Sequence, residues 1–263
     1  MPGIVGIIPA RMGAGRFPGK PLADILGWPM VVHVYERARR CAALDDVVVA
    51  TCDDEIRSVV EAYGGRAIMT SREHERGTDR VAEAARHFDA DVIVNIQGDE
   101  PLLDPQMLEQ VSGPFVRDPA LFTCNLIKRL DTDAEYRDPN CVKVAFTPAM
   151  RALYFSREPI PTRRHRPDQP AFRQLGIIAF RAGFLQTFSR LPRTPLEAAE
   201  SVDMMRVLEH GFPIALVETG GPAYSVDTPG DLEAVVARMR TDPMAAGYLA
   251  RDWRGAGARG ATP

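Results

Sequence analysis

Apolar and polar positions along the chain fall into two patterns: short, nearly solid apolar runs, and longer segments with apolar residues at helical spacing. The solid runs are Ile4–Ile8, Asp46–Thr51, Val92–Ile96, Phe122–Ile127, Val142–Phe146, Gln174–Phe180 and Ile214–Glu218, with a shorter one at Arg66–Met69. Their length is that of buried strands. The helical pattern occupies Met30–Cys41, where Val31, Val34, Tyr35 and Ala38 share a face. It recurs before Tyr63 and over Arg80–His87, Pro105–Val116, Pro195–His210 and Asp231–Arg240. Asp53 or Asp54 is placed to cap the segment that Gly64-Gly65 ends, and Thr78 or Asp79 to cap Arg80–His87.

Runs and helical segments alternate, which predicts an α/β, Rossmann-like fold around a mostly parallel sheet. Val92–Ile96 is the strongest run and reads as a central strand covered on both faces. Ligands in open α/β sheets bind outside the carboxyl ends of the strands. The segments that follow Ile8 and Ile96 are therefore expected on one rim. Residues 157–173 break the alternation: five Arg, one His and four Pro stand against two acids, with no apolar period. Such a segment is expected to be an excursion over the site or towards a second subunit.

Composition narrows the classes. At 263 residues and 45% apolar, the chain can bury one large core. A net charge of −3 gives no general attraction to nucleic acid or to an anionic membrane. No apolar run approaches the ~20 residues of a spanning helix. The first strand begins within four residues, with no basic n-region before it, so a cytoplasmic protein is expected. Cys41, Cys52, Cys124 and Cys141 are dispersed without CxxC spacing and read as small buried residues.

The candidate chemistry begins directly after the first strand. Pro9, Ala10, Arg11, Met12 and Gly13 lead through Gly15, Arg16 and Gly19 to Lys20. Glycines let the backbone approach a ligand, and their N–H groups can converge on an anion. Arg11, Arg16 and Lys20 add planar forks and a mobile point charge suited to phosphate oxygens. No Ser or Thr follows Lys20, so this is not a Walker loop, and the dinucleotide fingerprint is also missing. The plain alternative is a solvated Gly/Pro loop with scattered charge. Asp99 and Asp227 each follow an apolar strand and are candidate ligands for Mg²⁺, which commonly takes one or two carboxylates together with phosphates. A turn or cap role is the plain alternative for both.

Seven blocks carry a resemblance. They are Pro9-Ala10-Arg11 through Gly19-Lys20-Pro21-Leu22, His74 to Arg80, Val94 to Pro101, Asp138 to Val144, Leu153 to Arg157, and Val226 to Pro229, the first counting as two. Together they resemble the CMP-KDO synthetases (3-deoxy-manno-octulosonate cytidylyltransferases) over about residues 4 to 240. The resemblance implies a fold of the nucleotide-diphospho-sugar transferase type and CMP transfer from CTP with release of pyrophosphate. It also implies a Mg²⁺ cofactor at Asp99 and Asp227, and a homodimer. It places the nucleotide against Pro9, Ala10, Arg11, Gly13, Gly15, Arg16, Lys20, Thr70, Arg80, Gln97 and Gly98, with Arg11, Lys20, Asp99 and Asp227 catalytic. It places the acceptor near Lys143, with Arg157 as its anchor. A single domain over 1–243 is expected, its excursion at about 151–212 supplying acceptor and dimer contacts. The tail 244–263, with an isolated Trp253, is expected to be weakly ordered.

The acceptor side departs from the family pattern. Gln174 stands where the family carries His, and Asp203-Met204 where it carries Glu-Gln. Met204 lacks the donors and acceptor that suit sugar hydroxyls, while Arg163, Arg164 and Arg166 crowd the excursion. These differences lead to an expectation of a small anionic acceptor, a phosphonate such as phosphonoformate. CMP-KDO synthesis is the alternative, and a non-catalytic CTP-binding regulatory module is the alternative of another class.

Overall fold

The computed structural model describes residues 2–13 and 17–251. In chain order its elements begin with β1 (Ile4–Ala10), a hairpin of β2 (Asp24–Ile25) and β3 (Trp28–Pro29), and α1 (Met30–Ala38). Next come β4 (Asp46–Thr51), α2 (Asp54–Ala62), β5 (Ala67–Met69), α3 (Gly77–Ala85), β6 (Val92–Asn95) and α4 (Pro105–Arg117). Then follow β7 (Thr123–Arg129), α5 (Asp133–Arg137), β8 (Lys143–Phe146), β9 (Ala152–Ser156), β10 (Phe172–Arg181) and α6 (Ala182–Phe188). The chain closes with α7 (Pro195–Glu200), α8 (Met204–Glu209), β11 (Ile214–Glu218), α9 (Pro229–Met239) and α10 (Pro243–Leu249). The described residues divide into two compact units. One is built from the described residues within 2–4, 89–95 and 106–221, the other from those within 5–88, 96–105 and 222–251.

In the second of these units, β1 pairs in parallel with β4 and β4 with β5. The register sets Ala10 opposite Thr51 and Thr51 opposite Met69, so three strands end at one level. Ile7, Ile8, Val48 and Val49 are fully buried, as the solid runs require. Helices α1 and α3 pack on β4, and α2 on β4 and β5. Each buries its apolar stripe, Met30, Val31, Val34 and Ala38 in α1 and Ile56 and Val60 in α2. The α3 helix starts at Gly77, ahead of the expected Arg80.

In the other unit, β11 runs parallel to β7, while β10 is antiparallel to both β7 and β6. The reversals are β10, β9, which is antiparallel to β8, and the β2–β3 hairpin, and the α/β fold with a mostly parallel sheet holds. The strand β10 bulges between Gln174 and Ile178. Buried Asn125 fills the irregularity, its amide donating to Leu175 O at 2.8 Å and Ile177 O at 3.2 Å. Buried carbonyls left without donors are costly, so this side chain holds the bulge open.

Two expectations are corrected. Pro195–His210 is two helices, α7 and α8, because Ser201 adopts a left-handed φ of 51°. The Glu200 carboxylate leaves the helical frame to accept from Tyr154 Oη, Ser156 Oγ and the Arg157 N–H. The break lets Arg206 of α8 turn back to pair with Glu197 of α7 at 2.8 and 2.6 Å, both buried, although residues nine apart lie on opposite faces of a continuous helix. In the tail, residues 244–249 belong to α10. Asp242 caps it through the Met244 N–H, and Tyr248 is fully buried. Trp253 and the rest of the tail lie outside the described residues. Among the described residues no helix is long and apolar enough to cross a membrane. The four cysteines are free and buried.

Tyr248 matters because of what it meets. Its hydroxyl lies 2.7 Å from His33 Nδ1, and His33 Nε2 lies 2.8 Å from Ile25 O. A carbonyl only accepts, so Nε2 carries the proton and Nδ1 accepts from tyrosine. Burial lowers the His33 pKa to about 4, the Ile25 carbonyl opposing this and the Arg37 charge adding to it. The folded protein thus favours neutral His33, and this contribution is complete above the unfolded value near 6.5 and is lost as pH falls towards 4. At about 1.4 kcal/mol per decade the full effect is roughly 3 kcal/mol. Urea unfolding between pH 7 and pH 4.5 should show this slope in the wild type and a flatter one in His33→Gln. Identical slopes would remove His33 from the account.

Candidate active site

The loops after β1 and β6 meet because their backbones can touch. A Cβ on Gly98 would lie 2.9 Å from Pro9 O, so only glycine permits this approach. The Ile96 N–H donates to Ile7 O at 3.0 Å just before it. Around this crossing lies a cavity of about 250 Å³, lined by Pro9, Ala10, Arg11, Lys20, Arg80, Gln97, Gly98 and Asp99. Pro21, Met30, His74, Arg76 and Gly77 complete the wall.

Lys20 is the centre of this arrangement. Gly19 takes a left-handed φ of 73°, and its N–H donates to Met12 O at 3.1 Å, which closes the loop. Lys20 then starts a short 3-10 turn over Lys20–Leu22. Its Nζ lies 2.7 Å from Asp99 Oδ2, 2.8 Å from Val226 O and 3.3 Å from Asp227 Oδ1. The Val226 N–H donates to Asp99 O at 2.9 Å and fastens the two acidic segments together. Asp227 is not the cap of α9. That role belongs to Thr228, in a reciprocal capping box with Asp231. The Asp231 carboxylate also accepts the Asp227 N–H at 3.0 Å. Burial pushes the Asp231 carboxyl up, but these hydrogen bonds outweigh it and hold it below the usual range. The cap therefore fixes the Asp227 backbone beside Lys20.

A second set of contacts supports the basic wall. Arg80 is 2% exposed, and its Nη1 donates to Thr70 Oγ1 and to Ser71 O. Thr70 is thus beneath the cavity wall, holding Arg80. The Arg80 Nη2 is buried with no hydrogen-bond partner, a donor for which a ligand is the natural acceptor. His74 Nε2 pairs with Glu83, whose carboxylate also accepts the Ser71 N–H at 3.0 Å. Burial raises the Glu83 carboxyl, and these partners more than reverse it. Arg11 Nη1 reaches His74 O at 3.5 Å.

Asp53 is a residue the sequence pattern assigned to a helix cap. Its side chain makes no cap bond and instead accepts the Met12 N–H at 2.8 Å, which anchors the basic loop. The parallel register of β1 and β4 brings these strand ends together, and only that register could have revealed the contact. Gly13 does not line the cavity, and a Cβ there would meet nothing within 4 Å. Gly15 and Arg16 lie outside the described residues.

The residues expected at the acceptor all belong to the other unit, and most are bonded within it. Arg157 donates Nε to Glu200 O at 2.6 Å and Nη1 to Pro139 O at 2.9 Å. Lys143 is fully buried, with Nζ on Asp138 O and Arg157 O. Burial lowers its pKa, the charges of Cys141, Asp138 and Glu158 opposing. Arg163 pairs with Asp133 at 2.8 Å and lies over the Tyr136 ring at 4.1 Å. Arg164 and Arg166 are exposed. Gln174 Nε2 donates to Asn125 Oδ1 at 2.6 Å, completing the residue that fills the bulge. Met204 is fully buried at the start of α8, and Asp203 precedes it at the cap position.

Comparisons with known proteins agree over nearly the whole chain. The sequence model of a family described as Cytidylyltransferase matches residues 5–217. A 3-deoxy-manno-octulosonate cytidylyltransferase of Syntrophobacter fumaroxidans is 48% identical over 248 residues, covering 92% of this chain and 99% of the relative. Its counterpart in Geobacter metallireducens is 44% identical over 247 residues, 90% of this chain and 97% of that one. A solved structure of CMP:2-keto-3-deoxy-manno-octonic acid synthetase complexed with CTP superposes with a TM-score of 0.86 at 42% identity, covering 90% and 98% of the two chains.

The unpartnered edge of Arg80 yields a test. Arg80→Met should weaken CTP binding by about 10- to 150-fold, the roughly 1.5–3 kcal/mol of a charge-assisted hydrogen bond. The fold should persist with a modestly lowered melting temperature, because the bonds to Thr70 Oγ1 and Ser71 O leave with the guanidinium. Unchanged CTP affinity by calorimetry would take Arg80 out of the site.

Proposed function

The chain belongs to the cytidylyltransferase family, and we propose that within it the enzyme transfers CMP from CTP to a 3-deoxy-manno-octulosonate acid sugar. As a member it is a CTP-dependent nucleotidyltransferase, so the reading as a non-catalytic module falls. The observation that carries the acceptor assignment is the 44–48% identity, over nearly the full length of both partners, to enzymes named for that sugar.

The chemistry needed is modest and electrostatic. A sugar hydroxyl attacks the α-phosphorus, the bond to the pyrophosphate oxygen breaks, and the hydroxyl proton leaves as the new bond forms. The work of the protein is positioning and charge neutralisation. Arg11, Lys20 and Arg80 supply positive charge on one wall of the cavity. Pro9, Ala10 and Gly98 line the same cavity.

A magnesium ion fits the acidic corner. Two carboxylates converge within 2.7 and 3.3 Å of one cationic atom, and hard oxygen donors are what Mg²⁺ takes. Among the described residues no group of three or more His, Cys, Asp or Glu is placed to hold a metal. Phosphate oxygens and water would therefore complete the shell. Asp99 and Asp227 would hold the ion, whose contribution when bound is neutralisation of charge on the phosphates.

The expectation of a phosphonate acceptor is corrected. It rested on an arginine cluster free to bind anions, and on lost polar groups at positions 174 and 204. Arg157 and Arg163 instead bond to carbonyls and to Asp133. Gln174 is engaged with Asn125, and Met204 fills core. None of these is evidence for a compact anion, and the relatives carry the sugar's name. Pyrophosphate release from CTP should be at least about 100-fold faster with 3-deoxy-manno-octulosonate than with phosphonoformate, a difference of about 2.7 kcal/mol in barrier. Faster release with phosphonoformate would restore the phosphonate reading.

A further inference from the structure

The sequence places Lys20 with phosphates to neutralise, yet its ammonium lies on the carboxylates. Nζ is 2.7 Å from Asp99 Oδ2 and 3.3 Å from Asp227 Oδ1. It also donates to Val226 O at 2.8 Å, so all three of its N–H bonds have acceptors. These are the oxygens proposed above to hold the divalent ion. The side chain is 14% exposed, against 25% and 34% for the two aspartates. Lys20 and Asp99 both line the cavity, and Asp227 meets the same ammonium.

We propose that Lys20 and the divalent cation use these carboxylates in turn. The ammonium guards the pair until a triphosphate draws it away, and the metal enters only with the nucleotide. This rests on the reading of Asp99 and Asp227 as the metal carboxylates.

Three physical points carry the proposal. An ammonium and a divalent ion on the same oxygens repel with twice the energy of two unit charges at equal distance. The two carboxylates alone would also repel an incoming triphosphate, and Lys20 cancels half of their charge. Once the ammonium moves to the phosphates, the pair regains its full charge beside a polyanion, the setting in which a divalent cation binds best. The backbone of Lys20 is fixed, its N–H on Phe17 O at 3.2 Å and its carbonyl accepting the Ala23 N–H at 3.0 Å. The mover is the side chain, a flexible four-carbon stem carrying a point charge. By linkage, the factor by which CTP raises metal affinity is the factor by which the metal raises CTP affinity.

The test uses the full chain and Mn²⁺ as a paramagnetic stand-in for magnesium, with binding read from water proton relaxation. Without nucleotide, Lys20→Met and Lys20→Gln should each bind Mn²⁺ at least about 10-fold more tightly than the wild type. The gain should vanish in Lys20→Met combined with Asp99→Asn. Equal Mn²⁺ affinity in wild type and both variants would overturn the proposal, as would a gain that survives Asp99→Asn. The wild type alone gives a further reading. It should bind Mn²⁺ weakly by itself, and CTP should add Mn²⁺ sites beyond those of CTP in buffer. Tight binding by the wild type without CTP overturns the exchange even if the variants fail to fold. Absence of added sites in every protein, with CTP present, would instead remove the metal assignment itself.

Discussion

A single ammonium joins segments that are 79 and 207 residues apart in the chain. Lys20 can reach Asp99 and Asp227 only if the loop after β1, the loop after β6 and the cap of α9 stand at one place. Each element supplies one condition. The parallel pairing of β1 with β4 delivers Asp53 to the Met12 N–H and anchors the loop. Gly98 permits backbone contact with Pro9, and the Thr228–Asp231 box holds the Asp227 backbone. The unit that carries the cavity is thus built around a corner where opposite charges are concentrated. Such a cluster is a poor way to gain stability, because desolvation offsets most of the attraction. On the function proposed above, its value lies in what the charges can do to a triphosphate.

The other unit uses charge differently. Glu197 and Arg206 pair in its core across a helix break, and Arg157, Lys143 and Arg163 bind carbonyls and a carboxylate of their own unit. These side chains set the shape of the excursion at 157–173. The Glu200 carboxylate takes three donors from β9 and the residue after it. Of the arginines here, Arg157 and Arg163 serve as internal braces, while Arg164 and Arg166 are exposed.

How much of this was legible in the chain follows from range. The solid apolar run Val47–Ala50 marks a strand because burial on both faces leaves no room for polar residues, whereas Ile214–Glu218 buries alternate residues, Ile214 and Leu216. Strand-end aspartates are legible because parallel sheets place their carboxyl ends on one rim. The break at Ser201 was hidden, since the helical period runs on through Arg206 and nothing local announces a left-handed residue there. The α10 helix was hidden by its small residues, and its anchor is the contact of Tyr248 with His33, 215 positions away. The arginine excursion misled for the same reason. Asp133 lies 30 residues from Arg163, and a charge run read alone looks uncommitted.

The central claim is that the acidic corner around Lys20 exists for transfer chemistry rather than for the fold. The most direct measurement replaces both carboxylates by their amides, Asp99→Asn with Asp227→Asn, and follows pyrophosphate release alongside thermal unfolding. Amide oxygens can still accept from the ammonium, so a cooperative melt close to that of the wild type is expected. Turnover should fall at least about 1,000-fold, or about 4 kcal/mol in barrier. Release of pyrophosphate at near wild-type rates under limiting magnesium would contradict the account.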